Sequence, residues 1–202
     1  MLFYVIIIII IYKWMLEPEL AWTSLPDLLD LAEDAVRHSV RAAQETCPDE
    51  MAFFAERNAE LEGNDDEDGN GATSSRSSAV NLSEQLALLA NPGRSFARIS
   101  YTEAVDVLQR DSDTTIRWGD DLSSAHERHL TETHCGGEPV FVTNWPSSIK
   151  PFYMRTNENE NENENEGSDH ETVACFDLLV PGVGELVGGG DSCLYNMFHG
   201  II

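Results

Sequence analysis

The sequence predicts an α+β fold, in which helices flank an antiparallel sheet. Apolar residues recur at i, i+3, i+4 spacing through Leu28, Leu31, Ala35 and Val36, and again through Ala104, Val105 and Leu108. Pro139–Asn144 and Thr172–Val180 are β-rich runs bounded by Gly and Pro. The helical stretches bracket strands joined by hairpin turns, the order expected of α+β with an antiparallel sheet. The chain has 202 residues, 42% of them apolar, enough to build a core and to exclude wholesale disorder.

Pro26 in a first-turn position, with Asp27 beside it, opens a helical stretch over Leu25–Phe54. Cys47-Pro48 interrupts it, because the residue before a proline is pushed out of the helical region, and Asp49 starts a short second helix through Met51, Phe53 and Phe54. Residues 62–78 are mostly Gly, Asn, Ser and acid, so a disordered insertion is expected there. Asn81–Leu89 reads as a short helix. Ser100 and Glu103 form a capping box ahead of the next helix, and Ser123–Glu132 reads as another. Pro139–Asn144 is a strand, and Phe152–Arg155 is expected to be its partner. Asn157–Glu166 holds five Asn-Glu repeats, whose like charges repel and bury nothing, so they extend a loop. Thr172–Val180 is a third strand, and Pro181-Gly182 turns the chain before Glu185–Val187.

Both ends read as atypical. Met1–Tyr12 is an apolar run closed by Lys13, shorter than the ~20 residues that cross a bilayer. It lacks the basic start and small-residue cleavage site of a secretory signal. Its six consecutive isoleucines suit a strand or an aggregation-prone segment, or non-coding sequence translated from a wrong start site. The tail from Asp191 has no periodicity. The expected organisation is therefore an atypical segment 1–13, a domain over 14–189 with insertions at 62–78 and 156–171, and an atypical tail 190–202.

Twelve Lys and Arg stand against 36 Asp and Glu, a formal charge of −24. This excludes a protein that holds nucleic acid by charge alone, since counterion release needs cations facing phosphate. The acid is concentrated. Residues 62–78 carry five acids and one base, residues 156–171 seven acids and no base, leaving 24 acids and 11 bases elsewhere. The cysteines Cys47, Cys135, Cys175 and Cys193 lie far apart without a C-x-x-C pair, so they read as buried thiols in a reducing compartment.

His126-Glu-Arg-His129 departs from the zincin pattern, which needs histidines four apart to share a helical face. Gly182-x-Gly184-x-x-x-Gly188 is not a dinucleotide fingerprint and follows no βαβ pattern. Asp177 and Glu185 carry more information. Each sits in an apolar, strand-like context, where an unpaired carboxylate is costly. Two readings stay open on spacing alone. The acids converge across the Pro-Gly turn on Mg²⁺ bound to a nucleoside triphosphate, with Gly188 and Gly189 admitting a ligand close to the backbone. Alternatively, Glu185 lies at a solvated hairpin end and Asp177 bonds a backbone N–H.

Several segments together resemble the asparaginyl-tRNA synthetases, a family of class II aminoacyl-tRNA synthetases. Trp14–Trp22, WMLEPELAW, looks like the second strand of the class's motif 2. Asp30–Asp34 and Glu45–Pro48 match helices that follow it, and Arg98–Ala104 and Trp118–Arg128 match the next region. Phe141–Pro146, Ile149–Arg155 and Phe176–Gly189 are the most specific. Pro-Gly-Val-Gly-Glu at 181–185 and Phe-Tyr-Met-Arg at 152–155 favour the asparagine enzyme over its aspartate relative.

The resemblance implies a large, mostly antiparallel sheet, a homodimer, and two-step chemistry. The carboxylate of asparagine attacks the α-phosphate of ATP, and the 3′-terminal adenosine of tRNA(Asn) then takes the acyl group. It selects the cation reading, with Asp177 and Glu185 where the family holds ATP-bound Mg²⁺. It makes Glu17 and Glu19 candidates for contacts in the amino-acid and ATP site, with Lys150, Tyr153, Gly188 and Gly189 lining the same site. No side chain is singled out as a covalent or acid–base catalyst, because positioning and electrostatics carry such chemistry. There are departures. The isoleucine run stands where the motif 2 arginine is expected, Lys13 stands where an aromatic residue stacks on adenine, and Gly190-Asp191-Ser192 departs from the family's wording. Motifs 1 and 3 and the anticodon-binding barrel are not found. The expectation is an incomplete catalytic core, inactive alone and without the dimer-forming motif; a catalytically dead synthetase-like binding module is the alternative. Val-Thr-Asn-Trp-Pro at 142–146 is closest to the bacterial and organellar branch, and the Asn-Glu insertion to a eukaryotic source. Together they point to the mitochondrial matrix, with the cytoplasm as the alternative and no membrane partner. Any tRNA contact is expected on the face opposite the acidic insertions.

Overall fold

The structure is a computed structural model that describes residues 15–21, 23–63, 82–111, 115–157 and 170–192. Residues 15–21 are exposed and form no helix or strand, although the resemblance of 14–22 is to a strand, and they lead into helix α1, Leu25–Thr46. Ser24 caps α1 by accepting from the Asp27 N–H, the Asp27 carboxylate answers by accepting from the Ser24 N–H, and Pro26 fills the first turn. Cys47 breaks the helix as the sequence predicts, and α2 follows at Pro48–Gly63. It runs well past Phe54, into the start of the stretch expected to be a linker. Helix α3 is Leu82–Ala90, strand β1 Ala97–Ser100, and helix α4 Tyr101–Asp111. Helix α5, Ser124–Arg128, continues as a π-helical turn over His129–His134. Strand β2 is Val140–Pro146, β3 Thr172–Val180 and β4 Gly184–Gly190.

The strands form one sheet in the order β1-β2-β3-β4. β2–β3 and β3–β4 are antiparallel, whereas β1 runs parallel to β2, so the sheet is mostly rather than wholly antiparallel. β1 has no counterpart among the strands read from the sequence. Phe152–Arg155 is not the partner of β2, which is a correction: β1 and β3 already occupy both edges of β2. The segment turns instead, with the Met154 N–H donating to the Pro151 carbonyl, and bridges to Ser192 and Val173 through Met154 and Thr156. The acidic insertions and the atypical ends fall outside the described residues, apart from 62–63, 156–157, 170–171 and 190–192. No helix among the described residues is long and apolar enough to cross a membrane.

Alternation along the strands divides the core between two faces. Val140, Val142, Val173, Cys175 and Leu179 pack against Tyr101, Leu108 and Leu130. Phe141, Phe176, Leu178 and Val180 pack against Leu29, Ala32 and Val36 of α1. Asn144, at φ 56°, sits in a bulge where β2 slips against β3. The slip shifts the phase of β2 by one residue, so Trp145 joins Val140 and Val142 on the first face. On the second face Arg37, 3% exposed, is paired with Glu33 at 2.7 Å and donates to the carbonyls of Leu89, Asn91 and Arg94. It ties α1 to the chain leading into β1.

Candidate functional site

Asp177 is on β3, opposite Val142 on one side and Gly188 on the other, and so shares a face with Cys175 and Leu179. It is 8% exposed, and a carboxylate there needs a partner. The partner is Lys150, whose Nζ donates to Oδ2 at 2.7 Å. The alternative in which Asp177 is satisfied by a backbone N–H is not what the structure holds. Lys150 follows β2 and a short 3₁₀ turn at Ser147–Ile149. Its ammonium also lies 4.2 Å from the centroid of the Trp145 ring, a cation–π distance. The Asn144 bulge puts Trp145 there.

Glu185 is the second residue of β4, after a tight turn in which Gly182 and Gly184 take φ 73° and 88°. Its stem is exposed at the hairpin end, but its carboxylate folds back over Gly188. A Cβ on Gly188 would collide with Glu185 Oε1 and stand 3.4 Å from Asp177 Oδ1. The missing side chain thus leaves a cradle bordered by two carboxylate oxygens from adjacent strands. Gly189 has another reason to be glycine: a Cβ would come within 2.9 Å of the Phe176 ring. Gly190 packs against β3, where a Cβ would meet Cys175 at 2.7 Å.

The electrostatics agree with the geometry. Burial pushes the Asp177 carboxyl above the ordinary carboxylate range, against the pull of Lys150. Burial, and then Asp177, pushes Glu185 the same way. Glu127 of α5 is raised by burial and by the field of Glu185, Asp121 and Asp177. These groups favour any ligand that brings positive charge. Hard oxygen donors bordering an open cradle fit Mg²⁺, which is commonly held by one or two carboxylates together with substrate phosphates. Among the described residues, no group of three or more His, Cys, Asp or Glu is arranged to hold a metal.

The structure therefore brings Lys150, Asp177, Glu185 and Gly188 together, whereas Glu17, Glu19 and Tyr153 take no part in these contacts. Glu17 and Glu19 lie on the exposed segment before α1, outside any helix or strand. Glu19, Leu25, Leu28, Gly190 and Asp191 help line a cavity of about 430 Å³. Its Leu25 and Leu28 pack with the second face of the sheet, whereas Asp177 shares the first. Tyr153 is half-exposed, with its ring edge-on to Phe152 at 5.9 Å. Sequence reading missed Trp145 and Glu127. Glu127 lies within the HERH stretch, where attention goes to the histidines. His126 Nδ1 instead accepts from the Ser123 N–H as part of the α5 cap, and Glu127 Oε2 is the group that abuts the turn, 2.8 Å from where a Cβ on Gly184 would stand.

The family model for class II tRNA synthetases (D, K and N) matches residues 13–195. The chain is 40% identical over 179 residues to the asparagine–tRNA ligase of Clostridium novyi (strain NT), and 42% to that of Clostridium botulinum (strain Hall). Each match takes in 87% of this chain and 32% of the relative, so the chain spans about a third of the length of the curated relatives it matches. Among solved structures it resembles the asparaginyl-tRNA synthetase of Pyrococcus horikoshii, with TM-score 0.57 and 29% identity over 84% of this chain and 31% of that one. The fold is also that of the Entamoeba histolytica asparaginyl-tRNA synthetase in complex with asparaginyl-adenylate, with TM-score 0.55 and 24% identity over 90% of this chain and 33% of that one.

Proposed function

The chain belongs to the class II tRNA synthetases of the D, K and N group, and from that premise we propose that it forms part of the catalytic core of an asparagine–tRNA ligase. The reaction is ATP-dependent. A carboxylate oxygen of asparagine attacks the α-phosphorus of ATP, the bond to the bridging oxygen breaks, and pyrophosphate leaves. A hydroxyl of the 3′-terminal adenosine of tRNA(Asn) then attacks the acyl carbon and AMP departs. The identity of the amino acid is supported by relatives near 40% identity that are asparagine–tRNA ligases.

One observation carries the placement of ATP: the cradle at Gly188, bordered by Asp177 Oδ1 and Glu185 Oε1. Asp177 and Glu185 are the residues that would hold Mg²⁺ there, and its charge would offset that of the phosphates. Asp177 fixes its oxygen from a buried position on β3, between β2 and β4. Gly188 keeps its face of β4 free of a side chain, and the phosphates can approach the backbone there. Glu19, lining the cavity of about 430 Å³, adds negative charge that attracts the ammonium of an amino acid, and Glu17 adds to that field. The cavity volume lies within the range of small-molecule sites.

A non-hydrolysable asparaginyl-adenylate analogue tests this reading, with thermal stability measured in the presence of Mg²⁺. The asparaginyl analogue is expected to raise Tm more than its aspartyl counterpart, and Asp177→Asn to remove the Mg²⁺ dependence. Equal shifts for the two analogues, or none, contradict the reading. The bacterial relatives, together with a eukaryotic style of insertion, support residence in the mitochondrial matrix. Fractionation that finds the protein only in the cytosol contradicts this.

A further inference from the structure

We propose that Lys150 is the resident counter-cation of Asp177, displaced when a divalent cation enters the cradle, and that it thereby sets the affinity of the site for that cation. The inference rests on the reading above that Asp177 and Glu185 bind such an ion. Lys150 Nζ holds Asp177 through Oδ2, while Oδ1 of the same carboxylate faces Gly188. One carboxylate thus presents one oxygen to the ammonium and the other to the cradle. An ion bound at Oδ1 and Glu185 Oε1 stands within a few ångströms of the ammonium, and the two like charges repel.

Lys150 has somewhere to go. Its ammonium already lies 4.2 Å from the centroid of the Trp145 ring, so leaving Asp177 costs one of two stabilising contacts. Its side chain is 19% exposed, and lysine is long, flexible and readily hydrated, so water can take over the bond that Asp177 gives up. An arginine would be slower to release, because its planar fork grips a carboxylate through two parallel bonds. In the empty site the ammonium relieves Asp177 of an unpaired buried charge, and in the loaded site it is an anion-seeking group set free beside the phosphates. Lys150 is in this sense a positioning residue, acting through Asp177.

The test is Mn²⁺ binding to the full 202-residue chain at pH 8 without nucleotide, followed by the electron paramagnetic resonance signal of the free ion. Wild type is compared with Lys150→Met, which keeps the stem and removes the charge, and with Lys150→Arg. The expected order is Met tightest, by about tenfold over wild type, and Arg weakest. Mg²⁺ is also expected to change tryptophan emission in wild type and not in Lys150→Met, because only the former has an ammonium to move on the Trp145 ring. If Lys150 is an ordinary structural ion pair, Lys150→Met binds Mn²⁺ equally or more weakly, and the proposal is overturned while the cation reading stands. If none of the three proteins binds Mn²⁺, both are overturned. Should Lys150→Met fail to fold, Lys150→Arg decides alone: affinity equal to or above wild type overturns the proposal.

Discussion

Gly188 faces its cross-strand neighbour Asp177, and a single added carbon would take the place in which the oxygens of Asp177 and Glu185 border one another. Gly188→Ala is therefore expected to weaken divalent-cation binding at least about tenfold, because it fills the cradle, while its surface position on an edge strand keeps Tm nearly unchanged. Isothermal titration with Mn²⁺ and a melting curve check both parts; unchanged affinity with a folded protein contradicts the placement. Part of this site was legible in the sequence. Asp177, Glu185 and the glycines stand within twelve residues of one another around a Pro-Gly turn, and hairpin geometry brings such residues together. The Lys150–Asp177 pair was not legible as a pair, since the partners lie 27 residues apart across a charged insertion and nothing local aims one at the other. Glu17 and Glu19 came from resemblance alone, and the structure leaves them on an exposed segment outside any helix or strand.

Caps and breaks were the most legible elements, because their chemistry is confined to four residues. Glu103 accepts from the Ser100 N–H at 2.7 Å and Ser100 Oγ accepts from the Glu103 N–H at 3.2 Å, closing the box ahead of α4. The Ser100 N–H, and then the Ser100 hydroxyl at 2.8 Å, donate to the Glu103 carboxylate and hold it below its ordinary range. The folded chain consequently binds fewer protons than the unfolded chain. The contribution is complete above the ordinary glutamate value, about 4.3, and is lost as pH falls through the lowered one. Glu103→Ala is expected to cost about 0.5–1 kcal/mol at pH 7, a cap at an exposed site, and to converge on wild type near pH 2. A difference in stability that stays constant to pH 2 contradicts the assignment. β1 was illegible for the opposite reason. It is four residues long, and its pairing with β2 is parallel and some forty residues distant, which no local pattern encodes. The misreading of Phe152–Arg155 has the same root: its β-rich composition is real, but β2 had no free edge to offer.

For the molecule as a whole, the acidic insertion after β2 is separable from the fold it interrupts. Its flanks are tied together, with the Asn157 N–H donating to the Thr172 carbonyl at 2.9 Å and Asn157 Nδ2 to Thr172 Oγ1 at 2.9 Å. Deleting residues 158–169 removes six acids and closes a loop whose ends already meet. Such a deletion is expected to shift Tm by less than about 3 °C, because loop length enters stability only logarithmically. It is also expected to speed association with tRNA at low salt, because like-charge repulsion falls. A large loss of Tm would mean that the insertion packs on the domain. The fold class was legible because helical and strand periodicities survive between the insertions, while the placement of Trp145 beside Lys150 depends on the Asn144 bulge, a phase shift invisible in composition. The assignment of Asp177 and Glu185 to the cation that accompanies ATP is open to a crystal of the chain grown with ATP and Mn²⁺, through the anomalous signal of the metal. A peak is expected about 2.1 Å from oxygens of both Asp177 and Glu185, beside Gly188; a peak bound elsewhere, with those carboxylates left in place, contradicts the assignment.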